Sequence, residues 1–192
     1  MRSVLLHQRN FRVLLRALSR PGTRCSLPTD PEGNIRDILR AVLETLLDIE
    51  VTFALAAGEG KRLSEHEITG WTHAQAAAPE EADFLIVVGP ESGGALERLQ
   101  RGSPEAPDSG ATAIFWMAGD PARNHSHIQV RLSGPGVDPD ASGIAVLQGV
   151  SARELEAIRR VNADFPCGID CFFLYPDGGV VGLPRSVVIE EA

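Results

Sequence analysis

The segment from residue 82 to 88 restricts the fold of this chain more than any other part of the sequence. Its residues, Ala-Asp-Phe-Leu-Ile-Val-Val, are apolar apart from one aspartate. The run is too short for an ordinary helix, and it lacks the alternation of a strand with one wet face. It is therefore predicted to be a strand covered on both faces, which requires a further layer of structure on each side.

Helices are predicted where apolar residues recur at spacings of three and four. Residues 7–19 and 34–46 show this pattern, the second with Asn34 as its N-cap. A shorter helix is predicted over residues 95–100, and a capping box, Ser151-Ala152-Arg153-Glu154, opens another that ends near Asn162.

Strands are predicted at residues 51–56, 82–88, 111–117, 128–132, 143–147, 169–175 and 180–189. The last two are separated by Pro-Asp-Gly-Gly at 176–179, a strong hairpin signal. Residues 61–69 are interpreted only as a polar stretch. Because helices alternate with strands, the sequence predicts an α/β fold with a mixed β-sheet sandwiched by helices, in a single domain over residues 1–192.

Composition excludes several classes of partner. The formal net charge of −8 and the pI near 5.1 disfavour nucleic acid and anionic membranes, which would be repelled. No apolar run approaches the length of a membrane span, and arginines interrupt the apolar residues of the N-terminal segment, so no signal peptide is expected. Three cysteines, Cys25, Cys167 and Cys171, are too few for a disulfide framework and favour a reducing, cytoplasmic location.

Two glycine-containing loops could bind an anion. Gly89–Gly94 follows the buried strand, and glycine would let backbone amides approach a phosphate at a helix N-terminus. The lysine and hydroxyl of a nucleotide-binding loop are absent from it. Ser133-Gly134-Pro135-Gly136 follows an edge-like strand. For both loops the alternative is a tight turn without a ligand, and the residues alone leave the two readings open.

The usual catalytic patterns are weak in this sequence. His125 and His127 share a spacing that could hold a metal, and Cys167 and Cys171 are four apart, but neither pair has the further ligands of a metal site nearby. Lys61 is the only lysine, and its glycine-rich, charged surroundings are a poor setting for a reactive amine. The sequence therefore predicts no independent active site.

Polar and conformationally special residues instead cluster around the last hairpin. They are Asn162, Pro166, Gly168, Asp170, Pro184 and Arg185. Asp170 opens one apolar strand and Arg185 interrupts the next, so the two charges could pair across the hairpin or each could contact another chain. Both alternatives remain open at this level.

These residues also carry a resemblance to a known family. The segment Val161-Asn162-Ala163-Asp164-Phe165-Pro166-Cys167-Gly168-Ile169-Asp170, followed by Gly182-Leu183-Pro184-Arg185, resembles the C-terminal signature of the PhnH family. Three further segments resemble family segments in the same order. They are the opening helix with its Arg-Pro-Gly stop at 11–22, the Leu-x-Asp-x-Glu-Val-Thr-Phe segment within 46–56 and the Ser-Gly-Pro-Gly loop within 132–137. Cys167, Cys171 and Val137 depart mildly from the pattern.

The resemblance implies a fold related to pyridoxal-phosphate-dependent transferases that has lost the cofactor site. It also implies a homodimer in isolation, and assembly with the G, I and J subunits of the carbon-phosphorus lyase. That core complex converts alkylphosphonate and ATP to ribose 1-alkylphosphonate 5-triphosphate and then cleaves the carbon-phosphorus bond, with catalytic residues mainly on the partners.

An accessory subunit is therefore expected, with no cofactor on this chain and ATP used only by the complex. Two groups of residues are the candidates for an interface or a ligand site. They are Ser133, Gly134, Pro135 and Gly136 of the loop, and Asn162, Pro166, Gly168, Asp170, Pro184 and Arg185 around the last hairpin. An autonomous phosphonate- or nucleotide-binding enzyme that uses the two glycine loops is the alternative.

Overall fold

The computed structural model describes residues 2–28, 35–57, 63–117, 127–138 and 143–191. The helices are α1 (Arg2–Ser19), α2 (Ile35–Leu46), α3 (Glu65–Thr72) and α4 (Ala152–Val161). The strands are β1 (Cys25–Ser26), β2 (Thr52–Ala57), β3 (Gln75–Ala76), β4 (Phe84–Val88), β5 (Thr112–Trp116), β6 (His127–Ser133), β7 (Ile144–Gln148), β8 (Asp170–Leu174), β9 (Gly179–Leu183) and β10 (Val188–Glu191).

Seven strands of the described residues form the main sheet, in the order β1-β9-β8-β5-β4-β2-β3. The run from β3 to β8 is parallel, whereas β9 and β1 are antiparallel to their neighbours. The buried apolar run forms β4 near the middle of the sheet, as predicted. Its one polar residue, Asp83, accepts hydrogen bonds from the backbone N–H (2.8 Å) and hydroxyl (2.9 Å) of Thr52, and so fixes the start of β2 against β4.

The two faces of the main sheet are covered differently. Helices α1, α2 and α3 bury one face around an apolar cluster that includes Leu14, Leu43 and Ile68. The other face is covered by α4 together with the small sheet, which consists of β10, β6 and β7 in that order. Adjacent β8 residues point to opposite sides, with Phe172 in the first cluster and Phe173 in the second. The α/β class and the mixed sheet are confirmed, while the relation to pyridoxal-phosphate transferases stays a prediction.

The prediction of one strand over residues 180–189 was wrong. Strand β9 ends at Leu183, and β10 begins at Val188 in a different sheet, paired with β6. Pro184 has no N–H to continue a ladder, and the backbone N–H of Arg185 donates instead to the Asp170 carboxylate at 2.8 Å. The strands predicted near 128–132 and 143–147 are β6 and β7. They form the small sheet with β10 and do not join the main sheet.

Two helical segments also differ from the expectation. The polar stretch at 61–69 contains the start of α3, which Ser64 and Glu67 open with a reciprocal capping box. The helix predicted at 95–100 is only a single 3₁₀ turn, Leu96–Arg98. The proposed N-cap Asn34 lies outside the described residues. Within the described part of the chain, no helix has both the length and the apolarity needed to cross a bilayer.

Candidate functional site

The Arg-Pro-Gly stop of α1 packs where the two sheets meet. Gly22 has a left-handed φ of +75°, and a Cβ atom there would lie 2.6 Å from Leu132 Cδ1 and 2.7 Å from Ala145 Cβ. Its N–H donates to the carbonyl of Gly182 at 3.1 Å. Since no side chain fits at this point, glycine lets the end of α1 touch the small sheet and the main sheet together.

The loop Ser133-Gly134-Pro135-Gly136 makes close contacts with the chain's own backbone. A Cβ atom at Gly134 would lie 2.8 Å from the carbonyl oxygen of Ser186, and one at Gly136 would clash with the carbonyl oxygen of Ser19. Ser133 pairs with Val188 in the small sheet. The glycines of this loop are thus explained by packing between the end of α1 and the segment just before β10, and an anion at this loop stays a prediction.

Asn162 closes the loop between α4 and β8. Its side-chain amide donates to the carbonyl of Ile169 at 3.1 Å and accepts from the N–H of the same residue at 2.8 Å. Gly168 follows the loop with φ +150°, and a Cβ atom there would clash with the Asn162 amide oxygen and lie 3.0 Å from Arg185 Cβ. Within the loop, Pro166 follows a cis peptide bond. Asn162 and Gly168 therefore act as one structural unit.

Arg185 and Asp170 form an ion pair within the chain. Arg185 Nη2 donates to Asp170 Oδ2 at 2.8 Å, and Nε lies 3.3 Å from Oδ1. The guanidinium also donates to the backbone carbonyls of Pro107 and Gly110. The side chains of Arg185 and Asp170 are only 15% and 22% exposed. Pairing across the hairpin is the alternative that the structure shows, and a contact of either residue with another chain stays a prediction.

The motif residues thus meet at what we call the motif joint. It consists of Gly22, the loop 133–136, Asn162, Gly168, Asp170, Gly182 and Arg185. These segments lie far apart in the sequence, and their contacts hold α1, α4, the main sheet and the small sheet together. A cavity of about 340 Å³ adjoins the joint and is lined by Asn162, Phe165, Arg185 and Val188, among others. Phe165 and Val188 are exposed there.

The Gly89–Gly94 loop lies elsewhere, at the carboxyl edge of the parallel strands, where open α/β sheets bind ligands. A Cβ atom at Gly89, Gly93 or Gly94 would meet no atom of the described residues within 4 Å. Ser92 is buried, and its hydroxyl accepts from the N–H of Leu96 at 3.3 Å. The expectation that Ser92 caps the following helix was wrong, because the residue at the cap position of that turn is Ala95. Residues 58–62, which include Lys61, and residues 118–126 lie outside the described part of the chain.

Glu154, which the sequence identified only as part of a capping box, is a buried acidic residue. Its side chain lies on α4 and is 4% exposed. Burial raises the pKa of its carboxyl group, and the negative charges of Glu91 and Glu97 raise it further, whereas hydrogen bonds from Ser92 lower it. Its Oε1 has no hydrogen-bond partner among the described residues. Ser151 caps the Glu154 N–H at 3.1 Å, as predicted. The reciprocal half of the capping box is missing from the described contacts, because the carboxylate interacts with Ser92 instead.

Among the described residues, the cysteine and histidine candidates belong to no metal-binding group. Burial raises the pKa of the Cys171 thiol well above its ordinary value, which keeps the sulfur protonated and unreactive. His127 is exposed on β6, and His125 lies outside the described residues. Within the described ranges, no group of three or more His, Cys, Asp or Glu side chains is arranged to hold a metal ion.

Comparison with known proteins gives the chain its family. A search of curated proteins found no match. A family model described as "Bacterial phosphonate metabolism protein (PhnH)" matches residues 1–190, which include every segment of the motif joint. Because the match covers nearly the whole chain, the resemblance seen in the four motif segments is confirmed. The chain therefore belongs to the PhnH family of bacterial phosphonate metabolism proteins.

Proposed function

We propose that this chain is an assembly subunit of the carbon-phosphorus lyase core. In this role it is required, with the G, I and J subunits, to form ribose 1-alkylphosphonate 5-triphosphate from alkylphosphonate and ATP. The observation that carries the proposal is the family match over residues 1–190. Because the match extends over the whole fold, the role of the family in phosphonate metabolism is attributed to the chain as a whole and not to one segment of it.

The geometry of the motif joint supports an accessory role over a catalytic one. An arginine that binds a phosphonate needs guanidinium N–H groups directed at the ligand. Arg185 directs its donors to Asp170 and to the carbonyls of Pro107 and Gly110. The side-chain amide of Asn162 likewise donates to and accepts from the backbone of Ile169. The family motifs are therefore used to shape and stiffen this chain, as a subunit that presents a fixed surface requires.

The proposal also covers cofactors, oligomeric state and location. The chain carries no pyridoxal phosphate, ATP is used by the complex and not by this chain alone, the isolated protein is a homodimer, and the location is cytoplasmic. Supplying excess pyridoxal phosphate to the purified protein should give no bound cofactor. A stoichiometric absorbance band near the visible edge that Lys61→Ala removes would contradict this part of the proposal.

Co-expression tests the assembly role directly. The tagged chain is expressed with the G, I and J subunits, and the eluate is analysed by size exclusion and native mass spectrometry. We expect one complex that contains all four polypeptides. Isolated chain that elutes alone, with the other three subunits assembled in the flow-through, would contradict the proposal.

The second candidate is an autonomous phosphonate- or nucleotide-binding enzyme. The observation in its favour is the Gly89–Gly94 loop at the carboxyl edge of the sheet, where a Cβ atom on Gly89, Gly93 or Gly94 would meet none of the described residues within 4 Å. Titration calorimetry of the isolated protein with ATP, and separately with methylphosphonate, distinguishes the two functions. The assembly role predicts no tight binding and no ATP hydrolysis, whereas micromolar affinity would favour the enzyme.

A further inference from the structure

Helix α1 exposes an apolar stripe on the side that faces away from the core. Its inner side is buried through Leu14 and Ala17. On the outer side Val4 is 71% exposed, Phe11 52% and Leu15 58%. At 3.6 residues per turn these three side chains fall within about 40° of one another around the helix axis. Phe11 and Leu15 are neighbours on this line, and Val4 lies two turns before Phe11.

Arginines follow this stripe along one side. Arg9, Arg12 and Arg16 are exposed, and their side chains make no ion pair or hydrogen bond with the described residues. Around the helix they lie roughly 80 to 140° from Val4, next to the apolar line. Helix α1 contains no Asp or Glu, although the whole chain has a net charge of −8. The stripe and its arginines are together called the α1 surface.

This combination is typical of a protein interface. Single exposed apolar residues are common on monomers, but several large ones aligned on one face of a helix favour a contact site. Arginine and aromatic residues are enriched in interface cores. A second copy of the chain is a poor occupant if α1 packs on α1, because the contact would bring arginines near arginines with no carboxylate from either helix. An anionic bilayer is disfavoured by the acidic chain around α1.

We propose that the α1 surface docks onto another protein subunit that presents an apolar groove bordered by carboxylates. This inference rests on the proposed function, since the partner is taken to be a subunit of the same complex. Charge complementarity identifies the chemistry of the partner: unpaired guanidinium groups beside an apolar stripe fit Asp or Glu side chains beside an apolar groove. The contact would also cover the exposed side of Phe11.

Two variants of the α1 surface test the proposal in the co-expressed complex. Phe11→Ser/Leu15→Ser removes the apolar stripe, and Arg12→Glu/Arg16→Glu reverses its charge. The control, Val146→Ser/Arg153→Glu, makes the same kinds of change at exposed positions on β7 and α4. All the changed side chains are exposed or partly exposed, so melting temperatures should stay close to wild type.

We expect each α1 variant to weaken association with the G, I and J subunits by at least about tenfold, and the control to leave it unchanged. Raising the salt concentration should weaken the wild-type complex more than the complex of the charge-reversed variant. Equal association of wild type, α1 variants and control would overturn the inference and leave the proposed function intact. Failure of wild type and control alike would refute the proposed function, and the inference with it.

A photo-crosslinking amino acid placed at residue 11 identifies the occupant. A crosslink to a peptide of another subunit that contains Asp or Glu beside apolar residues supports the proposal. A crosslink to a second copy of this chain would overturn it. Sedimentation of the protein with phosphatidylserine vesicles, lost in Arg12→Glu/Arg16→Glu, would overturn it in favour of a membrane surface.

Discussion

Replacing Arg185 with alanine should lower the free energy of unfolding by about 2–3 kcal/mol. An exposed ion pair contributes at most about 1 kcal/mol, and breaking a fully buried one costs about 3–5 kcal/mol. The side chains of Arg185 and Asp170 are 15% and 22% exposed, which places this pair between the two limits. The variant also removes the guanidinium donors from the carbonyls of Pro107 and Gly110, although the Pro107 carbonyl keeps the N–H of Gly110 as a partner.

Urea unfolding followed by circular dichroism measures this cost, with the slope against urea expected to stay unchanged. For a chain of this size the loss corresponds to a fall in melting temperature of about 4–12 °C. Arg98→Ala is the matched control, because Arg98 makes two hydrogen bonds to Glu80, at 2.7 and 2.9 Å, but both side chains are about half exposed. The control should cost clearly less than Arg185→Ala, because water weakens an ion pair between exposed side chains.

A double-mutant cycle with Asp170→Ala assigns the cost to the pair. We expect the two substitutions to be non-additive by more than about 1 kcal/mol, because each alone leaves a partly buried charge. If Arg185→Ala costs no more than Arg98→Ala, the structural role of the motif joint would be refuted. A variant of normal stability that fails to join the complex would instead place Arg185 at the subunit interface.

Three further predictions concern Gly182, Asn162 and Glu154. Gly182→Ala should destabilise the protein by about 1–3 kcal/mol, because the new Cβ would lie 2.6 Å from the backbone of Ala17. Gly70→Ala in α3 is the control and should be neutral or stabilising, because a Cβ atom there would meet no described atom within 4 Å. Chemical denaturation compares the two variants. Asn162→Ala should cost about 1–3 kcal/mol by the same assay and increase amide exchange at Ile169, and unchanged exchange would contradict the clamp. Because the pKa of Glu154 is raised, its carboxyl group binds a proton more tightly in the folded state than in the unfolded chain. The stability that this group contributes is therefore present at low pH. It is lost as the pH rises from the ordinary glutamate pKa through the raised one. Glu154→Gln should flatten that part of the stability profile, and an unchanged profile would refute the assignment.

The sequence predicted best those elements whose pattern is local. The apolar run that forms β4 and the periodic apolar residues of α2 needed no knowledge of their neighbours. The break of the last strand could also have been read from Pro184, which removes a ladder donor. Helix α3 has few buried residues, yet the serine and glutamate of its capping box, Ser64 and Glu67, gave a usable signal.

The site was less predictable, because its contacts join distant segments. The carboxylate of Glu154 occupies a position where glutamate normally caps its own helix, and only the packing of the Gly89–Gly94 loop brings Ser92 beside it. The contact of Gly22 with Gly182 likewise depends on where α1 lies on the main sheet. Asp170 and Arg185 were identified as a possible pair, but sequence gave no means of choosing between a partner within the chain and one on another chain.

Reconstitution of the first reaction tests the central claim most directly. The four purified subunits are mixed with ATP and methylphosphonate, and the products are followed by phosphorus NMR. We predict signals of ribose 1-methylphosphonate 5-triphosphate from the complete mixture, and none from the G, I and J subunits without this chain or from this chain alone. Product formed at the full rate without this chain, or turnover by this chain in isolation, would contradict its role as an assembly subunit.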